Sequence, residues 1–252
     1  MRWPTRRQAM LAMMLLCAPL ARAQVAAPLQ IVTGDLPPYA IEGQPQRPGL
    51  HVEVVEQVLR RAGHPAKVGF YPWARAIALT KHTPHTAILP LTRTPEREPH
   101  FTWLMKLDTQ HFVFINRQAD TPVASLEQAR KLRIAVLRGS PNLDQLLNRQ
   151  FSESQIVQAT KVEDMVRLLE RGMVDAVYGG NVINMEKIRA SGRNPASFQI
   201  GMLVESADMW LAGGAGFSET EQAAWRQAYD AMLRDGSLAR IYRSYGLPPP
   251  AP

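Results

Sequence analysis

Thr160-Lys161-Val162-Glu163-Asp164-Met165-Val166-Arg167-Leu168-Leu169-Glu170-Arg171-Gly172-Met173-Val174-Asp175-Ala176-Val177-Tyr178 changes its period of hydrophobicity within one short stretch. Up to Arg171 the apolar residues Met165, Leu168 and Leu169 share one face of a helix. Thr160 and Glu163 stand at capping-box spacing, which predicts the helix start. Gly172 breaks the helix, and the apolar run Val174–Tyr178 reads as a buried strand. A helix that feeds a buried strand across a tight turn is a repeating unit of α/β sheets. The stretch Ala76–Leu91 has the same helix, turn and strand order, and each of the two is followed by a polar loop.

Working outward, the same alternation fills the chain. Leu29–Thr33 reads as a strand. Leu50–Ala62 reads as a helix with Val55, Val58, Leu59 and Ala62 on one face, ended by Gly63. Lys67–Tyr71 is a short strand, Trp73–Lys81 a helix, Ala87–Leu91 and His111–Asn116 strands. Ser125 and Gln128 open a second unit with a capping box, followed by the strand Arg133–Leu137 and a helix that Pro141 begins. Asn181–Ala190 is a helix, and Phe198–Val204 and Met209–Ala212 are two strands. Ser218 and Glu221 open a long last helix, which Gly236 separates from a shorter one ending near Tyr245. Repeated units of this size predict an α/β protein with largely parallel sheets, arranged as two similar lobes.

The start of the chain sets an expectation about its compartment. Arg2, Arg6 and Arg7 precede the apolar run Ala9–Leu20 and the small-residue site Ala21-Arg22-Ala23, the layout of a cleavable export signal over residues 1–23. The run is short for a membrane span, which takes about 20 residues. Thr5-Arg6-Arg7 leaves the general and the twin-arginine export routes both open. Leu16, before Cys17, is not the small residue a lipoprotein signal carries, so a freely diffusing periplasmic protein is expected. Four arginines leave with the signal, and the formal charge falls from +7 to +3. That is too mild for a nucleic-acid partner, and no basic stripe is interleaved with aromatics. The single cysteine leaves too, which excludes disulfides and thiol chemistry from the remainder. Residues 248–252 are proline-rich and are expected to form a disordered tail.

Six segments in series carry a family resemblance. They are Gly34-Asp35-Leu36-Pro37-Pro38-Tyr39, Gly49-Leu50-His51-Val52-Glu53, Thr92-Arg93-Thr94-Pro95-Glu96-Arg97, Val136-Leu137-Arg138-Gly139-Ser140, Leu168 to Ala176, and Leu233 to Tyr242. In this order and spacing the chain resembles the family 3 extracellular solute-binding proteins, the polar amino-acid receptors of ABC importers. The resemblance implies a type II periplasmic-binding-protein fold, each lobe a mainly parallel sheet flanked by helices. It implies a discontinuous first lobe, 24–116 plus 206–247, and a second lobe, 117–205, with crossings near Asn116–Thr121 and Val204–Met209. It further implies a monomer that closes on a small solute by hinge motion and delivers it to an ABC permease in the inner membrane.

The same resemblance carries over ligand roles. Arg97 matches the arginine that grips a ligand carboxylate, a task suited to a planar guanidinium; a surface ion pair with Glu96 or Glu98 is the plainer alternative. Thr92 matches a hydroxyl or backbone contact. Trp73 matches an aromatic that stacks on ligand, or else is a core residue packed on Ile77. Arg75 adds positive charge to the cleft or is a solvated helix position. Tyr39 follows two prolines, but the family's stacking aromatic precedes them, where Leu36 stands. Ser140 begins a helix, where free backbone N–H groups favour an anion, or is a cap only. The family's ammonium-binding aspartate falls at Gly180, beside Gly179 and Asn181, so Tyr178 and Asn181 are the neutral substitutes expected there. A carboxylate-bearing or anionic solute without a cationic amine therefore fits best. The spacing His82-x-x-His85 lacks a third ligand, so no metal and no cofactor is expected. Two alternatives stay open: a free-standing ligand sensor, and a cleft enzyme similar to cyclohexadienyl dehydratase with Glu42 as acid or base.

Overall fold

The computed structural model describes residues 28–250. The expected export signal, Cys17 and the last two residues of the tail lie outside them. Eight strands form one mixed sheet: β1 (Gln30–Thr33), β2 (Val68–Phe70), β3 (Thr86–Thr92), β4 (Thr102–Arg117), β5 (Ile134–Leu137), β6 (Ile156–Ala159), β7 (Ala176–Gly180) and β8 (Phe198–Gly213). Helices α1 (Leu50–Arg61), α2 (Trp73–His82), α3 (Leu126–Ala129), α4 (Asn142–Leu147), α5 (Val162–Glu170), α6 (Asn181–Ala190), α7 (Glu219–Arg234) and α8 (Ser237–Ser244) flank it.

The strand order is β2-β1-β3-β8-β4-β7-β5-β6. β1 lies parallel to β2 and β3, and β5 lies parallel to β6 and β7. The long strands β4 and β8 run antiparallel to each other and join the two parallel groups. Read inward from either end, the order is β2-β1-β3-β8-β4 or β6-β5-β7-β4-β8, the same pattern with the long strands exchanged. The twofold echo in the sequence is thus a twofold echo in topology.

β8 pairs with β3 through Met209–Gly213, and β4 pairs with β7 through Phe112–Ile115. The handover between the two groups falls at Gln110 and His111, opposite Ala207 and Ser206. The crossing expected at Asn116–Thr121 therefore comes after β4 has already joined the second group, whereas Val204–Met209 includes the handover on β8. Both long strands are also longer than their sequence predicts. β4 begins at Thr102, and the two strands expected over Phe198–Val204 and Met209–Ala212 are one. The polar residues that hide this continuity pair across the strands. Lys106 Nζ lies 2.9 Å from Asp208, whose carboxylate also accepts from Thr109 Oγ1 at 2.9 Å, and His111 Nδ1 lies 2.6 Å from Ser206 Oγ.

Two caps form as the sequence predicts. Ser125 Oγ accepts from Gln128 N–H, and Ser218 Oγ accepts from Glu221 N–H while Glu221 returns the bond to Ser218 N–H. The cap predicted at Thr160 does not: the N-cap position of α5 falls one residue later, at Lys161, without a side-chain cap. α7 and α8 return to the first group, where Trp225 Nε1 donates to His64 and Arg61 meets Asp235 at 2.7 Å. The far face of the second group has its own core of Phe112, Phe114, Ile134, Val136 and Tyr178.

Gly49 holds the start of α1 against the β1 loop. Its φ of 112° is rarely open to other residues, and a Cβ there would lie 2.5 Å from Ala40 Cα. Gly49→Ala is expected to lose at least about 2 kcal/mol of unfolding free energy, measured by urea titration. An unchanged midpoint would show that the 36–49 loop relaxes freely.

Candidate functional site

The C-terminal ends of β1, β2 and β3 face those of β5, β6 and β7 across a cleft, the position where open α/β sheets place ligands. Its outer chamber has a volume of about 270 Å³ and is lined by Asp35, Leu36, Tyr71, Trp73, Lys161 and Glu163, among others. An inner cavity of about 40 Å³ continues from it and shares Leu36, Trp73, Leu137 and Val162. Its further walls are Pro90, Thr92 and Gln110 on one side and Ser140, Asn142, Gly179, Gly180 and Asn184 on the other.

Two contacts span the cleft. Lys187 of α6 forms an ion pair with Asp35 of the β1 loop. Arg97 donates from Nη1 to Thr92 O and from Nη2 to Gly139 O, each at 2.9 Å. Arg97 thus stands between the two groups of strands rather than in a surface pair. Glu98, its expected surface partner, is taken by Arg93 at 2.6 Å and by Trp103 Nε1 at 3.0 Å. Arg93 in turn lies over the Trp103 and Trp210 rings at 5.2 and 5.0 Å, which anchors the loop that presents Arg97. Burial pushes the Arg97 guanidinium down to about 10, with Asp144 and Glu96 opposing, so it stays charged at neutral pH.

The sequence-derived candidates divide. Thr92, Trp73 and Ser140 line the inner cavity, whereas Arg97 lines neither chamber and is tied to the inner one through its bond to Thr92 O. Trp73 is 6% exposed, so its core and cleft readings both apply. Ser140 Oγ donates to Leu137 O at 2.6 Å and accepts from Asn142 N–H at 3.3 Å, so it occupies an N–H expected to meet an anion, while Pro141 holds the N-cap position of α4. Arg75 is exposed and lies 5.4 Å from the Tyr71 ring centre, outside the cleft itself.

Three candidates do not reach the cleft. Tyr39 is buried and stacks on His51 at 4.4 Å, because its loop turns the ring into the core of the first group. Tyr178 points to the opposite face of the sheet, against Phe112 and Phe114, since neighbouring strand residues alternate faces. Asn181 lines neither chamber; its Oδ1 accepts from Val182 N–H at 2.7 Å. The sequence reading missed Gln110, Asn142 and Asn184. Asn184 lies one helical turn beyond Gly180, a spacing that marks it. Nothing in the sequence singles out Gln110, on a strand half read as a loop. A side chain on Gly180 would start 2.6 Å from the Gln110 amide carbon, so this amide fills the space beside Gly180. His85 lies 2.9 Å from Glu221, and Glu42 lines the outer chamber.

No protein-family model matches the chain, and no curated protein matches it. Solved structures match it closely in shape. A histidine kinase sensor domain with similarity to periplasmic binding proteins has a TM-score of 0.79 at 19% identity, covering 89% of this chain and 99% of its own. The arginine-, lysine-, histidine-binding protein ArtJ of Geobacillus stearothermophilus has a TM-score of 0.76 at 17% identity, covering 88% and 96%. The GluR0 ligand-binding core of Nostoc punctiforme, solved with L-glutamate, has a TM-score of 0.74 at 17% identity, covering 86% and 99%. The chain therefore has the two-lobed α/β fold of periplasmic binding proteins.

Tyr178 Oη is buried without a partner. Tyr178→Phe is expected to leave ligand affinity unchanged and to raise unfolding free energy by about 1 kcal/mol, measured by urea titration. A weakened affinity would return Tyr178 to the site. His51 is wholly buried, neither ring nitrogen makes a hydrogen bond although Nε2 lies 3.9 Å from the Asp108 carboxylate, and burial lowers its pKa to about 3. The unfolded chain protonates this ring near pH 6.5 and the folded chain does not, so stability falls as pH drops from about 6.5 toward 3. One proton sets a slope of up to about 1.4 kcal/mol per pH unit. His51→Phe should flatten the profile by that amount; identical slopes would show that His51 is not the group responsible.

Proposed function

We propose that this protein is a periplasmic solute-binding protein that captures a small carboxylate-bearing or anionic solute in the cleft and hands it to an ABC permease. The observation that carries the reading is the cleft's charge pattern. Arg97 is a half-buried cation hydrogen-bonded to the carbonyl of Thr92, a residue that lines the inner cavity, and no carboxylate lines that cavity. An anion there gains a fixed guanidinium, whereas an ammonium group gains no counter-charge. The Arg97 bond to Gly139 O marks where a ligand carboxylate would compete for the same N–H. Proteins of the same fold bind arginine, lysine, histidine or glutamate, which supports a solute of amino-acid size.

In this reading the lobes divide at the handover of the long strands, near residues 110 and 206, rather than at 116 and 205. Closure then needs only a bend where β4 and β8 cross, and the Asp35–Lys187 pair supports the closed form from outside the ligand. The likeness to a kinase sensor domain supports a second reading, in which the closed form reports to a membrane receptor.

Arg97→Ala is expected to weaken binding of the best carboxylate in a calorimetric screen at least 100-fold, with little change in melting temperature. Equal affinity in the variant would remove Arg97 from the site. Uptake by vesicles carrying a candidate ABC permease separates transport from sensing, since a sensor would stimulate no uptake.

A further inference from the structure

The inner cavity is walled by three primary amides, those of Gln110, Asn142 and Asn184. The two asparagines are only 4% and 3% exposed. Asn142 Nδ2 donates to Tyr178 O at 2.9 Å, and Asn184 Nδ2 donates to Gly180 O at 2.8 Å. Both partners are backbone carbonyls, which only accept, so neither amide can flip without losing its bond. The orientations are therefore fixed, and each Oδ1 is left as an acceptor. Both Oδ1 atoms are buried and have no hydrogen-bond partner. A buried acceptor without a donor is costly, and the open space that these side chains line is the inner cavity.

We propose that Asn142 and Asn184 form a donor-reading subsite, which accepts hydrogen bonds from a neutral O–H or N–H of the solute. The proposal rests on the cleft being the solute site, and it narrows the solute to a carboxylate that carries a hydroxyl or carboxamide in place of an ammonium group. Two oxygens of amides supply partial negative charge, enough to orient a neutral donor and too little to replace the hydration of an ammonium ion. The apolar walls Leu36, Trp73, Pro90, Val162 and Ile183 sharpen that distinction by lowering the local dielectric. A cavity of about 40 Å³ admits a group of a few non-hydrogen atoms, while the outer chamber takes the remainder of the solute. The Gln110 side chain makes no hydrogen bond among the described residues and packs beside Gly180.

The test is calorimetry with matched triplets that differ only in H, O–H or NH₃⁺ at carbon 2. Suitable sets are 4-methylpentanoate, its 2-hydroxy derivative and leucine, with corresponding short, aromatic and dicarboxylic sets. The hydroxy member of at least one set should bind ten times more tightly than its two partners. Asn184→Leu should reduce that preference to near unity. Because this change also removes the bond to Gly180 O, Gln110→Glu is the second variant: it removes no hydrogen bond and adds an anion beside the same cavity. It should turn the preference toward the amino member. Equal binding of the H and O–H members, or tightest binding of the amino member, would overturn the donor-reading subsite while leaving the carboxylate site standing. Silence of every carboxylate in every set would overturn the carboxylate site, and the subsite with it.

Discussion

The antiparallel pairing of β4 with β8 is the interaction on which the rest of this structure depends. It runs from Thr102 opposite Gly213 to Arg117 opposite Phe198, so one ladder serves both parallel groups. Each group alone is a set of three short parallel strands with an open edge. Adding the long pair closes that edge and supplies the fourth and fifth strands of each group at once. The cleft follows directly. Because both groups are built on the same two strands in opposite directions, their C-terminal ends point at each other, and every loop that follows β1, β2, β3, β5, β6 or β7 is delivered to the gap.

That arrangement explains how charge is distributed. Arg97 comes from the loop after β3 and reaches Gly139 after β5, so a single guanidinium touches both sides. Asp35 follows β1, and Lys187 lies on the helix after β7. Arg97 is held by the carbonyls of Thr92 and Gly139, whereas Asp35 and Lys187 line the outer chamber. The inner cavity is thus lined by apolar and neutral polar side chains, a setting in which each polar contact counts for more than it would in water.

Much of the fold could be read from the sequence because short buried strands and amphipathic helices carry strong periodic signals. Val174–Tyr178 and the face of Met165, Leu168 and Leu169 are examples. The long strands were harder, because Lys106, Asp108, Gln110 and His111 interrupt the apolar pattern where the ladder leaves one group for the other, and Lys106 and His111 find side-chain partners across the strands. Thr92, Trp73 and Ser140 line the inner cavity because each lies at or just after a strand end, which ordered motifs mark well, and Arg97 follows on the loop that leaves Thr92. Tyr178 failed by one residue of strand parity, and Tyr39 because a loop's direction is set by tertiary packing. Asn142 and Asn184 carry their meaning in unpaired oxygens, and no pattern of residue types shows whether an amide is satisfied.

The exchanged strands also set an order of assembly. Ala87 of β3 is hydrogen-bonded opposite Gly213, and Thr102 at the start of β4 meets the same glycine. A chain emerging from the ribosome therefore holds β1, β2 and β3 long before the strand that must flank them exists. The second group, by contrast, needs β8 only to complete its outer neighbour, since β4, β5, β6 and β7 are contiguous in the chain. The inserted half is thus the part able to organise first, and the half containing the N-terminal strands is finished last, by residues near the C-terminus. Any factor that keeps the nascent chain unfolded has its longest task at the exposed side of β3.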